Sequence, residues 1–141
     1  EAIDLGAKFV VMPGFDAKVV EHCLKNDISV LPGCVTATEI MMALSYGINI
    51  CKFYPVYEMG GTATLAQFNN GPFGMIEWVV TGGLDGKNFL PLVAYKNTLA
   101  AGGDWMFNEN NALKNSDWDA MEENARRTVL DSLNARANAK K

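Results

Sequence analysis

The run Asn49-Ile50-Cys51-Lys52-Phe53-Tyr54-Pro55 decides how this chain is read. Ile50, Phe53 and Tyr54 favour a pleated strand, and Pro55 ends it. Successive strand residues face opposite sides, so Cys51 and Phe53 share one face and Lys52 takes the other. A charged ammonium in an apolar strand is costly unless it is paired or neutralised. Desolvation favours the neutral amine, and a neutral lysine attacks carbonyls to form a Schiff base. The plainer alternative is a lysine that extends its head to solvent or pairs with a carboxylate.

Four similar runs flank this one: Phe9-Val10-Val11-Met12, Ile28-Ser29-Val30-Leu31, Ile76-Glu77-Trp78-Val79-Val80 and Thr98-Leu99-Ala100-Ala101. Each ends at a turn signal: Pro13-Gly14, Pro32-Gly33, Gly82-Gly83 and Gly102-Gly103. Helical stretches fill the intervals. Asp16 is placed to cap a helix over 17–24, and Thr36 and Glu39 have capping-box spacing ahead of Ile40-Met41-Met42-Ala43-Leu44. Gly60-Gly61-Thr62 opens a helix to about Phe68, and Asp85-Gly86 precedes one toward Tyr95 that must absorb Pro91. The last helix starts at Ser116–Asp119, with Trp118, Met121, Ala125, Val129 and Leu133 as its apolar stripe. The tail 134–141 is expected to fray. Met41, Met42, Trp78, Trp105 and Trp118 read as core or helix packing.

Strand–helix alternation with short turns predicts an α/β fold of parallel strands joined by right-handed crossovers. Two architectures compete, an open doubly wound sheet and a (βα)8 barrel. Five units satisfy the first; the second requires three more ahead of them. Residues 1–141 read as one domain. The chain opens on Glu1, which fits a processed or partial polypeptide.

Composition narrows the function. Charged residues make up 20% of the chain and the net charge is −4, which argues against nucleic acid as a partner. Arg126, Arg127, Arg136, Lys140 and Lys141 look like a helix face and a helix C-terminus. No apolar run has membrane-spanning length, and no signal-peptide pattern opens the chain. Cys23, Cys34 and Cys51 lack metal spacing and read as reduced thiols of a cytoplasmic protein. His22 sits among charged neighbours and reads as a surface residue. No metal or organic cofactor is expected, since neither a metal-ligand cluster nor a phosphate-binding P-loop is present.

In both architectures functional groups gather at the C-terminal ends of the strands. Those ends carry Pro13, Lys52, Thr81-Gly82-Gly83 and Gly102-Gly103-Asp104. Glycine pairs let a backbone approach a ligand, and amides at such turns attract anions. Asp104 opposes a phosphate at contact range. Thr81 is placed to donate to a carboxylate or to a lysine-bound intermediate.

Taken in order, Pro13-Gly14, Pro32-Gly33, Thr36–Glu39, Lys52-Phe53-Tyr54-Pro55, Thr81-Gly82-Gly83 and Gly102-Gly103-Asp104-Trp105 resemble the 2-keto-3-deoxy-6-phosphogluconate and 4-hydroxy-2-oxoglutarate aldolase family. The resemblance implies a class I aldolase on a TIM barrel, usually a trimer, with this chain covering the last five βα units. It implies Lys52 as the Schiff-base lysine, Pro13 and Thr81 as substrate-binding, and Gly82, Gly83, Gly102, Gly103 and Asp104 at the phosphate-binding turns. It further implies that units ahead of these carry a proton-shuttling glutamate and a carboxylate-binding arginine. The expected reaction cleaves a 2-oxo-3-deoxy sugar acid of the 6-phosphogluconate type to pyruvate and an aldehyde such as glyceraldehyde 3-phosphate, as in the Entner–Doudoroff route. Asp104 stands where the family usually has serine, which raises 4-hydroxy-2-oxoglutarate or another unphosphorylated 2-oxo acid as the alternative. Val80 stands where the family has proline. Two further readings remain open: a sugar-phosphate isomerase using Lys52 electrostatically, and a non-catalytic half-barrel.

Overall fold

Parallel strands and helices alternate through the computed structural model, which describes residues 1–139. The order is β1 (Phe9–Val11), α1 (Ala17–Lys25), β2 (Ser29–Leu31), α2 (Ala37–Ser45), β3 (Ile50–Phe53), α3 (Gly61–Asn70), β4 (Glu77–Thr81), α4 (Phe89–Val93), β5 (Thr98–Gly102), α5 (Trp105–Asn108) and α6 (Trp118–Ala139). All five strands fall on the apolar runs of the sequence. β1 pairs with β2, and β3 with β4 and then β5, all parallel. An isolated parallel bridge between Gly33 and Lys52 joins the two groups. The strands therefore lie side by side in chain order. A doubly wound sheet reverses its order at a switch point, whereas a barrel does not. The fold is thus α/β of TIM-barrel type, and the described residues form a partial barrel.

The caps work as their residue types require. Asp16 accepts from the Val19 N–H at 3.0 Å. Thr36 Oγ1 accepts from the Glu39 N–H at 3.3 Å, and the Glu39 carboxylate accepts from the Thr36 N–H at 3.0 Å. Helices cover one side of the strands. Phe53, Trp78 and Val80 are fully buried there, with Phe53 and Trp78 ring centroids 5.5 Å apart and Phe68 6.0 Å from Trp78. The Trp78 indole N–H is satisfied by Asn69 Oδ1 at 3.1 Å. The other side is more open, and Phe9 on β1 is 58% exposed.

Several expectations are corrected. The helix toward Tyr95 shrinks to Phe89–Val93, because the Asp85 carboxylate accepts from the Lys87 and Asn88 N–H groups and holds a turn instead. Met41, 62% exposed, and Met42 lie on the outer side of α2, which packs through Ile40 and Ala43. Of the apolar stripe on α6, Met121 is buried as expected and Ala125 is half-buried, but Trp118 is 70% exposed and Val129 57%, with Leu133 also exposed, because the helix packs through Met121 and Asn124. The tail does not fray up to Ala139. Arg136 donates to the carbonyls of Val93, Thr98 and Leu99 at 3.2, 3.1 and 2.7 Å and ties α6 to β5. Lys140 and Lys141 lie outside the described residues.

Candidate active site

Lys52 occupies the central strand junction. Its N–H donates to the Pro32 carbonyl at 2.9 Å and its carbonyl accepts from the Cys34 N–H at 2.9 Å, while its register partner on β4 is Val79. The backbone at this position is therefore held from both sides. Cys51 and Phe53 point into the helix layer with no exposed surface, and Lys52 points to the opposite, concave side. The side chain is half-buried rather than enclosed, a correction to the fully buried strand expected from its apolar neighbours. Among the described residues no carboxylate forms an ion pair with it. Its Nζ lies 4.8 Å from the centroid of the Tyr54 ring. A ring face of this kind attracts a cation. The strand's alternation alone puts Tyr54 on the Lys52 side, yet the sequence reading gave it no role.

Thr81 ends β4 on the same face, two residues beyond Val79. Its Oγ1 is buried and has no hydrogen-bond partner among the described residues. Buried hydroxyls are nearly always satisfied, so a free one on the Lys52 face is a ready donor or acceptor. Its register partner is Gly102, where a built Cβ would meet Thr81 Cγ2 at 3.3 Å.

Pro13 is exposed at the end of β1. A Cβ on Gly33 would sit 2.1 Å from the Pro13 carbonyl oxygen, and the Gly33 N–H donates to Gly14 at 3.2 Å. Only glycine lets these two turns meet. Through the Gly33–Lys52 bridge, the Pro13 turn is brought to the lysine's end of the sheet. Gly82 and Gly83 adopt φ of +94° and +65°, the left-handed region that suits glycine. Gly103 is pressed against the Trp105 ring, 2.2 Å from where its Cβ would lie. Asp104 accepts from Asn108 Nδ2 at 2.6 Å and lines a cavity of about 480 Å³ that Lys52 does not line. Among the described residues no group of His, Cys, Asp and Glu is arranged to hold a metal, and no helix is long and apolar enough to cross a membrane.

The cysteines are structural neighbours of the lysine. Cys34 and Cys51 are both fully buried, and the Cys51 thiol together with burial pushes the Cys34 thiol up, which keeps it protonated. His22 is exposed on α1.

A lysine and a free hydroxyl thus share one concave face at the C-terminal ends of parallel strands in an α/β fold of TIM-barrel type. A family model for KDPG and KHG aldolase matches residues 1–124, and the chain belongs to that family. It is 44% identical over 101 residues to the 2-dehydro-3-deoxy-phosphogluconate aldolase of Treponema pallidum (strain Nichols), covering 72% of this chain and 48% of that protein. It is 34% identical over 129 residues to the enzyme of the same name from Dickeya dadantii (strain 3937), covering 92% of this chain and 60% of that protein. Among solved structures, KDPG aldolase from Legionella pneumophila, with pyruvate captured as a covalent carbinolamine intermediate, superposes with a TM-score of 0.80 at 30% identity. That match covers 86% of this chain and 58% of the Legionella chain. The chain thus spans about half to three-fifths of the length of these relatives.

Proposed function

We propose that the chain carries the Schiff-base centre of a class I pyruvate aldolase acting on a 2-oxo-3-deoxy sugar acid. The observation that carries this is the pairing of Lys52 with the unsatisfied Thr81 hydroxyl on one face. The Lys52 amine attacks the 2-oxo carbon to give a carbinolamine, which loses water to become an iminium. The iminium accepts the electron pair of the C3–C4 bond as that bond breaks. The C4 hydroxyl gives up its proton to water, which later returns one to the enamine, and the aldehyde leaves. The remaining enamine takes a proton at C3, and water hydrolyses the iminium to release pyruvate and the free amine. Thr81 donates to the pyruvyl carboxylate, Pro13 lines the pyruvyl pocket, and the glycine turns receive the distal end. The lysine supplies the electrophile, so the cycle uses no cofactor. The active assembly under this reading is a homotrimer.

Intact-mass analysis after incubation with pyruvate and borohydride tests the reading. A reduced pyruvyl adduct mapped to Lys52 is expected. Lys52→Arg keeps the charge, loses the adduct and loses turnover. An unmodified Lys52, or an arginine variant retaining a tenth of the rate, would sink the assignment.

A further inference from the structure

A cavity of about 280 Å³ opens at the N-terminal end of β5, with Tyr95, Lys96, Asn97, Thr98, Arg136 and Ala139 in its wall. Thr98 is the first residue of β5 and Gly102 the last. At about 3.3 Å per residue, that places the cavity about 13 Å along the strand from the C-terminal ends where the candidate active site lies. The two places share no lining residue.

The charge in this cavity has one sign. Lys96 and Arg136 line it, and no carboxylate does. Neither cation forms an ion pair with a carboxylate among the described residues. Arg136 is half-buried, and a partly desolvated charge is costly until an opposite charge meets it. Its Nε donates to Val93 and its Nη2 to Thr98 and Leu99, all of them neutral carbonyls. A guanidinium has donors to spare, and those on Nη1 meet no acceptor among the described residues. Lys96 Nζ has only the neutral Asn70 Oδ1 at 3.3 Å. Thr98, on the same wall, is 7% exposed, and its Oγ1 also lacks a partner among the described residues. Two cations held by neutral groups match the charge of one dianion. A monocarboxylate balances only one of them.

We propose that this cavity binds a small phosphate-bearing dianion between Lys96 and Arg136, and that the bound anion fastens the end of α6 to β5. The site is independent of the chemistry at Lys52. Inorganic phosphate is the probe, titrated into the full polypeptide at about pH 8, where it is mainly dianionic, with chloride holding the ionic strength constant. The amide signals of 95–98 and of Arg136 are expected to move and to saturate, and the amides of 130–139 to exchange more slowly at saturation. Lys96 is exposed, so Lys96→Glu keeps the fold, and it is expected to weaken phosphate about tenfold or more. Arg136→Lys keeps the charge and loses the fork, and is expected to weaken it as well; a loosened α6 in that variant leaves Lys96→Glu as the test. Acetate is expected to bind at least tenfold more weakly than phosphate. Movement that never saturates, equal affinity in Lys96→Glu, or movement confined to the Gly82 and Gly103 amides overturns the site. Equal affinity for acetate overturns the class of ligand, and unchanged exchange of 130–139 at saturation overturns the fastening.

Discussion

At the scale of one residue, Thr81 tests stability and the proposed function separately. Its hydroxyl is buried without a partner among the described residues, so it contributes no hydrogen bond to their fold. Thr81→Val keeps the shape and removes that group. Thermal unfolding is expected to be unchanged or slightly raised, while pyruvate binding weakens about tenfold, the worth of one hydrogen bond to a charged group. Titration calorimetry beside a melting curve checks both halves. Cys34 gives a pH prediction. Its folded-state thiol is pushed above the ordinary value of 9.0 by Cys51 and burial. Below that value both states hold the proton, and the contribution is whole. As the pH rises through it, the unfolded chain ionises first and stability falls. The urea midpoint should therefore drop between about pH 8 and about pH 10, and drop less in Cys34→Ala. The sequence made Lys52 legible through its strand. It did not make the free state of the Thr81 hydroxyl legible, because burial depends on segments distant in the chain.

At the scale of elements, local chemistry and tertiary packing divide cleanly. The capping box at Thr36 and Glu39 is complete within four residues, so the start of α2 is written in sequence. The extent of α6 is not. Its composition predicts fraying, yet three carbonyls of α4 and β5 converge on Arg136 and hold it. Arg136→Ala is expected to expose the amides of 130–139 to hydrogen exchange at least tenfold faster while leaving those of β4 protected. Equal protection in the two proteins would show that the helix is held by other means. The stripe through Trp118, Val129 and Leu133 has helical spacing, but spacing says only that residues share a face, not that a neighbour covers it.

At the scale of the molecule, the described residues present an open concave face bounded by β1 and β5, the two outer strands of the set. Phe9 and Val11 on β1 and Leu99 on β5 are exposed large hydrophobics. Open strands and contiguous apolar surface favour association. The 141-residue chain is expected to self-associate with rising concentration, and Val11→Lys to reduce this; light scattering reads both. An ideal monomer at all concentrations would contradict the edge argument. By itself the sequence determined the five strands, their turns and the lysine that stands out among them, because strand periodicity, proline and glycine act over a few residues. Only the tertiary structure decided between barrel and open sheet, since order in a sheet depends on pairing between distant segments such as Gly33 and Lys52. It alone also left the Thr81 hydroxyl buried and free on the Lys52 face, because burial is a property of the packed chain.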